Sequence, residues 1–170
     1  INGAFMKAYD FEANNLEATS NSLAAKGNLG GYDAINRYGD ESVFRMPGYS
    51  NAGAAITKYA YRTGYMEKDL ADYNTKSIKL QTALHWKITD SLEAIYAYNF
   101  GTGTTIYQGD NRFSIKDLVF QQHRVELSGK KFNVKAYTSI EDAGKSYDIV
   151  RTAFLMQDAA RSNDSWNRAY

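Results

Sequence analysis

The chain of 170 residues has no cysteine and one proline, Pro47. Without thiols there is no disulfide framework, no thiolate nucleophile and no thiolate zinc site. The two histidines, His85 and His123, lie too far apart in sequence to form a ligand pair by spacing, so no metal site is expected. Charge of one sign is also missing. Twenty basic and 19 acidic residues leave a formal charge of +1, with no basic run, and nucleic acid is not an expected partner. No stretch approaches the ~20 apolar residues of a membrane helix. That excludes helical spans but not β-barrel spans, which need only ~9–11 residues each. The first residue is Ile1 and no signal segment follows it, which reads as a mature product or an internal fragment.

What the chain does have is aromatic and amphipathic. Aromatic residues make up 14% of it, 14 of them tyrosine. The apolar share is 44%, yet mean hydropathy is −0.54. That pairing suits elements that are apolar on one side and polar on the other.

The clearest pattern runs from Ser77 to Phe100. Ile78, Leu80, Thr82, Leu84, Trp86 and Ile88 alternate with Lys79, Gln81, Ala83, His85 and Lys87. Side chains two apart share a strand face. After a short turn at Thr89-Asp90-Ser91 the alternation resumes, with Leu92, Ala94, Tyr96, Tyr98 and Phe100 on one face. The spacing predicts a hairpin with arms of bilayer-crossing length. Val119–Leu127 and Phe132–Ile140, around Ser128-Gly129-Lys130-Lys131, read as a second hairpin. Its first arm carries Gln121 and His123 on the nominally apolar face, which lipid exposure does not explain.

Ile1–Phe11 reads as a further strand, residues 12–76 as one very long loop, and Gly101–Leu118 as a long connection. The loop 12–76 is rich in Asn, Gly, Ala and Tyr, as at Ser50-Asn51-Ala52-Gly53. Short turns at one end of the strands and long loops at the other are an outer-membrane barrel pattern. Short helices are expected within the loops, at Tyr32–Tyr38 and at Ser146–Arg161 with Ser146 as N-cap. The expected fold is therefore all-β, a transmembrane antiparallel β-barrel segment with long extracellular loops containing short helices.

Several blocks of residues resemble Bacteroidota TonB-dependent outer-membrane receptors, of the SusC-like group with carboxypeptidase-regulatory-like domains. They are Gly30-Gly-Tyr-Asp-Ala-Ile-Asn-Arg-Tyr-Gly-Asp-Glu41, Tyr61-Arg-Thr-Gly-Tyr65 and Glu67-Lys-Asp-Leu-Ala-Asp-Tyr-Asn74. Further along come Asn99-Phe-Gly-Thr-Gly-Thr-Thr-Ile-Tyr-Gln-Gly-Asp-Asn-Arg-Phe-Ser114 and Ala136-Tyr-Thr-Ser-Ile-Glu-Asp-Ala-Gly-Lys-Ser-Tyr-Asp148. The resemblance spans about Gly30 to Trp166. It implies a large barrel holding a plug, nutrient import driven through TonB, location in the bacterial outer membrane with its lipid, and in some members a surface lipoprotein partner. No plug, TonB box or N-terminal accessory domain is recognisable in residues 1–170, so the expectation is one partial barrel whose TonB contacts lie in other regions.

Chemistry beyond binding finds little support. Gly101-Thr-Gly-Thr-Thr105 lacks the Gly-Lys-Ser/Thr of a phosphate-binding loop. Asp110, Glu141, Asp142 and Asp148 do not have calcium-loop spacing and read as solvated. No catalytic constellation and no cofactor site emerge, and an enzyme is not expected. Arg62, Tyr65, Tyr107, Asp110 and Arg112 mix aromatic and charged groups near expected loop mouths and are the candidate substrate-binding residues. The alternative reading is a soluble β-rich carbohydrate-binding module, in which the apolar strand faces pack on a second sheet.

Overall fold

The structure is a computed structural model that describes residues 1–49, 55–109 and 111–170. Strand accounts for 56% of it and helix for 14%, so the all-β class holds. Along the chain the elements are β1 (Asn2–Tyr9), β2 (Arg37–Tyr38), β3 (Val43–Tyr49), β4 (Ala55–Tyr61), β5 (Tyr65–Met66) and α1 (Glu67–Leu70). Then follow β6 (Asn74–Thr89), β7 (Leu92–Gln108), β8 (Arg112–Gly129), β9 (Phe132–Asp142), β10 (Tyr147–Asp148), α2 (Ile149–Ala160) and α3 (Asn163–Ala169). Among the described residues no helix is long and apolar enough to cross a membrane, a statement that does not bear on strands. The residues fall into two compact units.

The first unit holds residues 1–10, 73–107 and 114–147. Its sheet runs β1-β6-β7-β8, with β9 also on β8, and it is not closed. The described pairings β1–β6, β6–β7 and β8–β9 are antiparallel. Strands β6, β7 and β8 have 16, 17 and 18 residues, about three times the ~5–6 of an average strand. Thr89 pairs with Leu92 and Gly129 with Phe132, so both hairpins close through two residues, Asp90-Ser91 and Lys130-Lys131.

The register brings like faces together. Leu80 lies opposite Phe100, Leu84 opposite Tyr96, and Trp86 opposite Ala94. On the other side Phe5 lies opposite Ile78. Directly opposed residues share a face, so the apolar alternation of each strand adds to that of the next. A one-residue slip would send every one of these side chains to the polar face.

The long connection expected over 101–118 is not present. Strand β7 runs on to Gln108 and β8 starts at Arg112, leaving only a short junction. Gly101 and Gly103 do not end the strand, because they sit inside the β6–β7 ladder opposite Lys79 and Ser77. A glycine weakens a strand but keeps both backbone groups for pairing.

The second unit holds residues 11–72, 108–113 and 148–170. Much of the expected open loop is thus folded. Two small antiparallel pairings, β2–β5 and β3–β4, organise it. The segment Ser50-Asn51-Ala52-Gly53 lies outside the described residues. The helix expected at Tyr32–Tyr38 is absent. Side chains there bind backbone and each other in non-helical ways: Asn36 Oδ1 accepts from Asn15 N at 2.9 Å, and Arg37 Nη2 donates to Tyr32 O at 2.9 Å. Such bonds compete with a helix.

The second expected helix is present as α2, but Asp148, not Ser146, is its N-cap, accepting from Arg151 N at 2.9 Å. Ser146 is instead tied to a turn, its hydroxyl donating to Ala143 O at 2.5 Å. Ile149, Ala153 and Gln157 form the buried stripe of α2, spaced four apart on one helix face.

Candidate functional site

The first unit presents its chemistry on the face opposite the apolar one. Ser77, Lys79 and Gln81 project from β6, and Leu118, Phe120 and Gln122 from β8. Asn99 Nδ2 donates to Gln122 Oε1 at 3.2 Å, which places the even-numbered residues of β8 on this face. Between these two rows runs β7 with Gly101 and Gly103, and the missing side chains leave a groove of about 460 Å³. Nearer the turn, His85 Nδ1 meets Glu93 Oε1 at 2.9 Å, and Glu126 accepts from Asn133 at 2.7 Å and from Arg124 at 3.2 Å. At the other end Asp10 Oδ2 accepts from Thr75 Oγ1 at 2.5 Å, Thr105 Oγ1 at 3.0 Å and Ile106 N at 2.8 Å.

The second unit has a buried ionic core. Glu67 is fully buried, and Arg112 is 3% exposed. Arg112 Nε donates to Glu67 Oε2 at 2.8 Å and its Nη2 to Oε1 at 2.9 Å, a bidentate pair. Tyr38 Oη adds a bond to Oε2 at 2.8 Å and Ala13 N one to Oε1 at 3.3 Å. Burial pushes the Glu67 carboxyl up, but the Arg112 and Tyr38 hydrogen bonds outweigh it and hold it below the usual carboxylate range. Burial, and then the bond to Glu67, push the Tyr38 phenol well above its ordinary value, so it stays a donor. The Arg112 guanidinium also lies over the Phe11 ring, 4.8 Å from its centroid.

A second polar cluster surrounds Arg37. Its Nε donates to Asp40 Oδ2 at 2.6 Å, and Asp40 is fully buried. Burial raises the Asp40 carboxyl despite Arg37. The neighbouring Glu41 is pushed up to about 7, first by burial and then by the charges of Asp40 and Asp33, against hydrogen bonds from its own amide and that of Gly39. Among the described residues no group of three His, Cys, Asp or Glu is placed to hold a metal ion.

Of the sequence candidates, Arg62, Tyr65 and Arg112 fall in the second unit and Tyr107 in the first. Arg62 is 5% exposed, and its guanidinium closes the end of α2. Nη1 donates to Arg161 O at 2.7 Å and to Asn163 Oδ1 at 3.0 Å, and Nη2 to Gln157 O at 2.9 Å. Arg112 is spent on Glu67. Tyr65 pairs with Tyr38 across β2–β5. Tyr107 stands 56% exposed in the first unit's stretch of β7. Asp110 lies outside the described residues. The groove along Gly101 and Gly103 was not singled out from the sequence as a binding feature. Its signal was two glycines at alternate positions of one strand. No family model, no curated protein and no solved structure matches the chain.

Proposed function

We propose that this chain is a stretch of the β-barrel of an outer-membrane, TonB-dependent nutrient receptor, with β6–β9 crossing the bilayer. The observation that carries the reading is that most of the sheet's large exposed apolar side chains share one face, with Met6 and Tyr137 among the exceptions. Phe5 is 69% exposed, Leu84 68%, Trp86 65% and Val134 60%, and all lie on one face. The other face carries Lys79, Gln81, His85, Lys87, Gln122 and Lys135. Contiguous exposed apolar surface on this scale marks contact with something apolar. The apolar row of β6 runs from Ile78 to Ile88. At ~3.3 Å per residue and a tilt of ~40°, it spans roughly the ~25 Å apolar band of such barrels. Trp86 lies toward the Asp90-Ser91 turn, where an aromatic girdle belongs.

The receptor identity itself rests on the blocks of resemblance between Gly30 and Trp166. In this reading the chain binds and passes a nutrient, is not an enzyme, and depends on TonB, a plug and in some arrangements a surface lipoprotein that other regions engage. Single cysteines at Leu80, Leu84, Lys79 and Lys87 in the parent protein test it, after cell fractionation. The reading expects the protein in the outer membrane, lipid-phase labelling of the two leucine positions only, and aqueous labelling of the two lysine positions. Aqueous labelling of all four in a soluble fraction would favour the β-rich binding module and sink the barrel.

A further inference from the structure

We propose that the groove over Gly101 and Gly103 is a binding subsite for a solute carrying one carboxylate on a body of hydroxyls or amides. As a station on a transport route the proposal rests on the reading above; as a binding site it does not.

Lys79 lies directly across the ladder from Gly101, so its side chain leaves the strand beside a position with no side chain. Among the described residues Lys79 has no ion-pair partner, and no acidic residue lines the groove. One exposed cation without a counter-charge at the edge of an open groove suits one oxyanion. Around it stand three carboxamides, Gln81, Asn99 and Gln122. Asn99 Nδ2 and Gln122 Oε1 already share a hydrogen bond, and the donors and acceptors that remain on the three suit hydroxyls or amides of a body whose other side meets the apolar lining. Phe120 and the glycine backbone supply the apolar surface on which such a body rests.

Gly101 is the second observation; at Gly103 a Cβ would press on Lys76 O at 3.3 Å, so the β6 backbone accounts for that glycine. A glycine inside a strand is destabilising and marks close approach by a ligand or another backbone. A Cβ at Gly101 would meet nothing within 4 Å, so no neighbour in the fold demands glycine there. The space it leaves is open to a guest.

The test uses the full chain in detergent and two matched pairs of probes. One pair is glucuronate with neutral glucose; the other is N-acetylalanine with its neutral amide. The expected result is saturable binding of at least one acid, with its neutral counterpart roughly tenfold or more weaker, the size of one charge-assisted contact. Lys79→Gln should erase that preference. Gly101→Val should abolish binding with an unchanged circular dichroism spectrum, since the fold has room for the side chain. Lys87→Gln, on the same face but outside the groove, should change nothing. The pair that shows the preference identifies a uronate or a peptide-type carboxylate. Failure of both acids to saturate, equal binding of acid and neutral probe, or an indifferent Lys79→Gln overturns the proposal. Because binding is read on the purified chain, its failure leaves the membrane assignment standing, and failure of that assignment leaves the binding result standing.

Discussion

The hydroxyl of Tyr96 lies 2.8 Å from Nδ1 of His123, across from β7 to β8. The neighbouring Tyr98 hydroxyl donates to Gln121 Oε1 at 3.0 Å, and its ring sits 4.8 Å from the His123 ring. Gln121 and His123 are the two polar residues that looked misplaced on the apolar face. The structure gives each a tyrosine partner on that same face. A polar group in an apolar setting costs little once its hydrogen bond is made.

Two adjacent residues should respond in opposite ways to the same substitution. Leu84→Lys puts a charge near the middle of the apolar face and should cost about 2–4 kcal/mol if that face meets lipid. Ala83→Lys, on the exposed polar face, should cost close to nothing. Unfolding of the parent protein in lipid vesicles measures both. Equal costs would remove the lipid from the account.

Breaking the Glu67–Arg112 pair on one side only should be costly to the second unit. Arg112→Met leaves a buried carboxylate without its counter-charge, at a cost of roughly 3–5 kcal/mol. Replacing both residues with apolar ones should recover most of it. The pH dependence has a fixed sign. The folded-state value of Glu67 is depressed, so its stabilisation is full above the ordinary carboxylate value of 4.5 and is lost as the pH falls through that value and below. Thermal melts followed by Trp166 fluorescence in a Trp86→Phe background report this.

Glu41 has the opposite sign. Its carboxyl is raised from 4.5 to about 7, so the folded state holds the proton more tightly than the unfolded chain. Stability contributed by the protonated form is present at acid pH and lost as the pH rises from 4.5 toward 7. The loss is roughly 1–3 kcal/mol after allowing for partial solvent contact. Glu41→Gln should flatten this part of the curve. An unchanged slope in denaturant titrations at pH 5 and 8 would refute it.

Arg62 should behave as a helix clamp. Arg62→Lys keeps the charge but loses the fork that reaches Gln157 O and Arg161 O together. The last carbonyls of a helix need such partners. A cost of roughly 1.5–3 kcal/mol is expected, with fraying at the C-terminal end of α2 in hydrogen exchange. Binding assays with candidate nutrients should follow the loss of fold in this variant, and not exceed it.

Strand faces and the α2 stripe were legible because they depend on period, and period is local. Leu84 and Trp86 are two apart; Ile149 and Ala153 are four apart. The two-residue turns were nearly legible for the same reason, through Asp90-Ser91 and Lys130-Lys131. The length of β7 and β8 was not, because glycines and threonines at 101–105 suggest a loop until a neighbouring ladder fills their backbone bonds. The second unit was hidden for a deeper reason. Its hydrogen bonds run between residues far apart in the chain, Arg112 to Glu67 and Arg62 to Gln157, and nothing in either local segment announces the other. The sequence by itself determined an all-β chain with one apolar and one polar face per strand. The tertiary structure alone decided which strands set those faces side by side, that Arg112 and Arg62 are held by a carboxylate and a helix end, and that Gly101 leaves a groove beside Lys79. Alternation is written residue by residue, whereas register and burial come from free-energy differences among whole pairings of the chain.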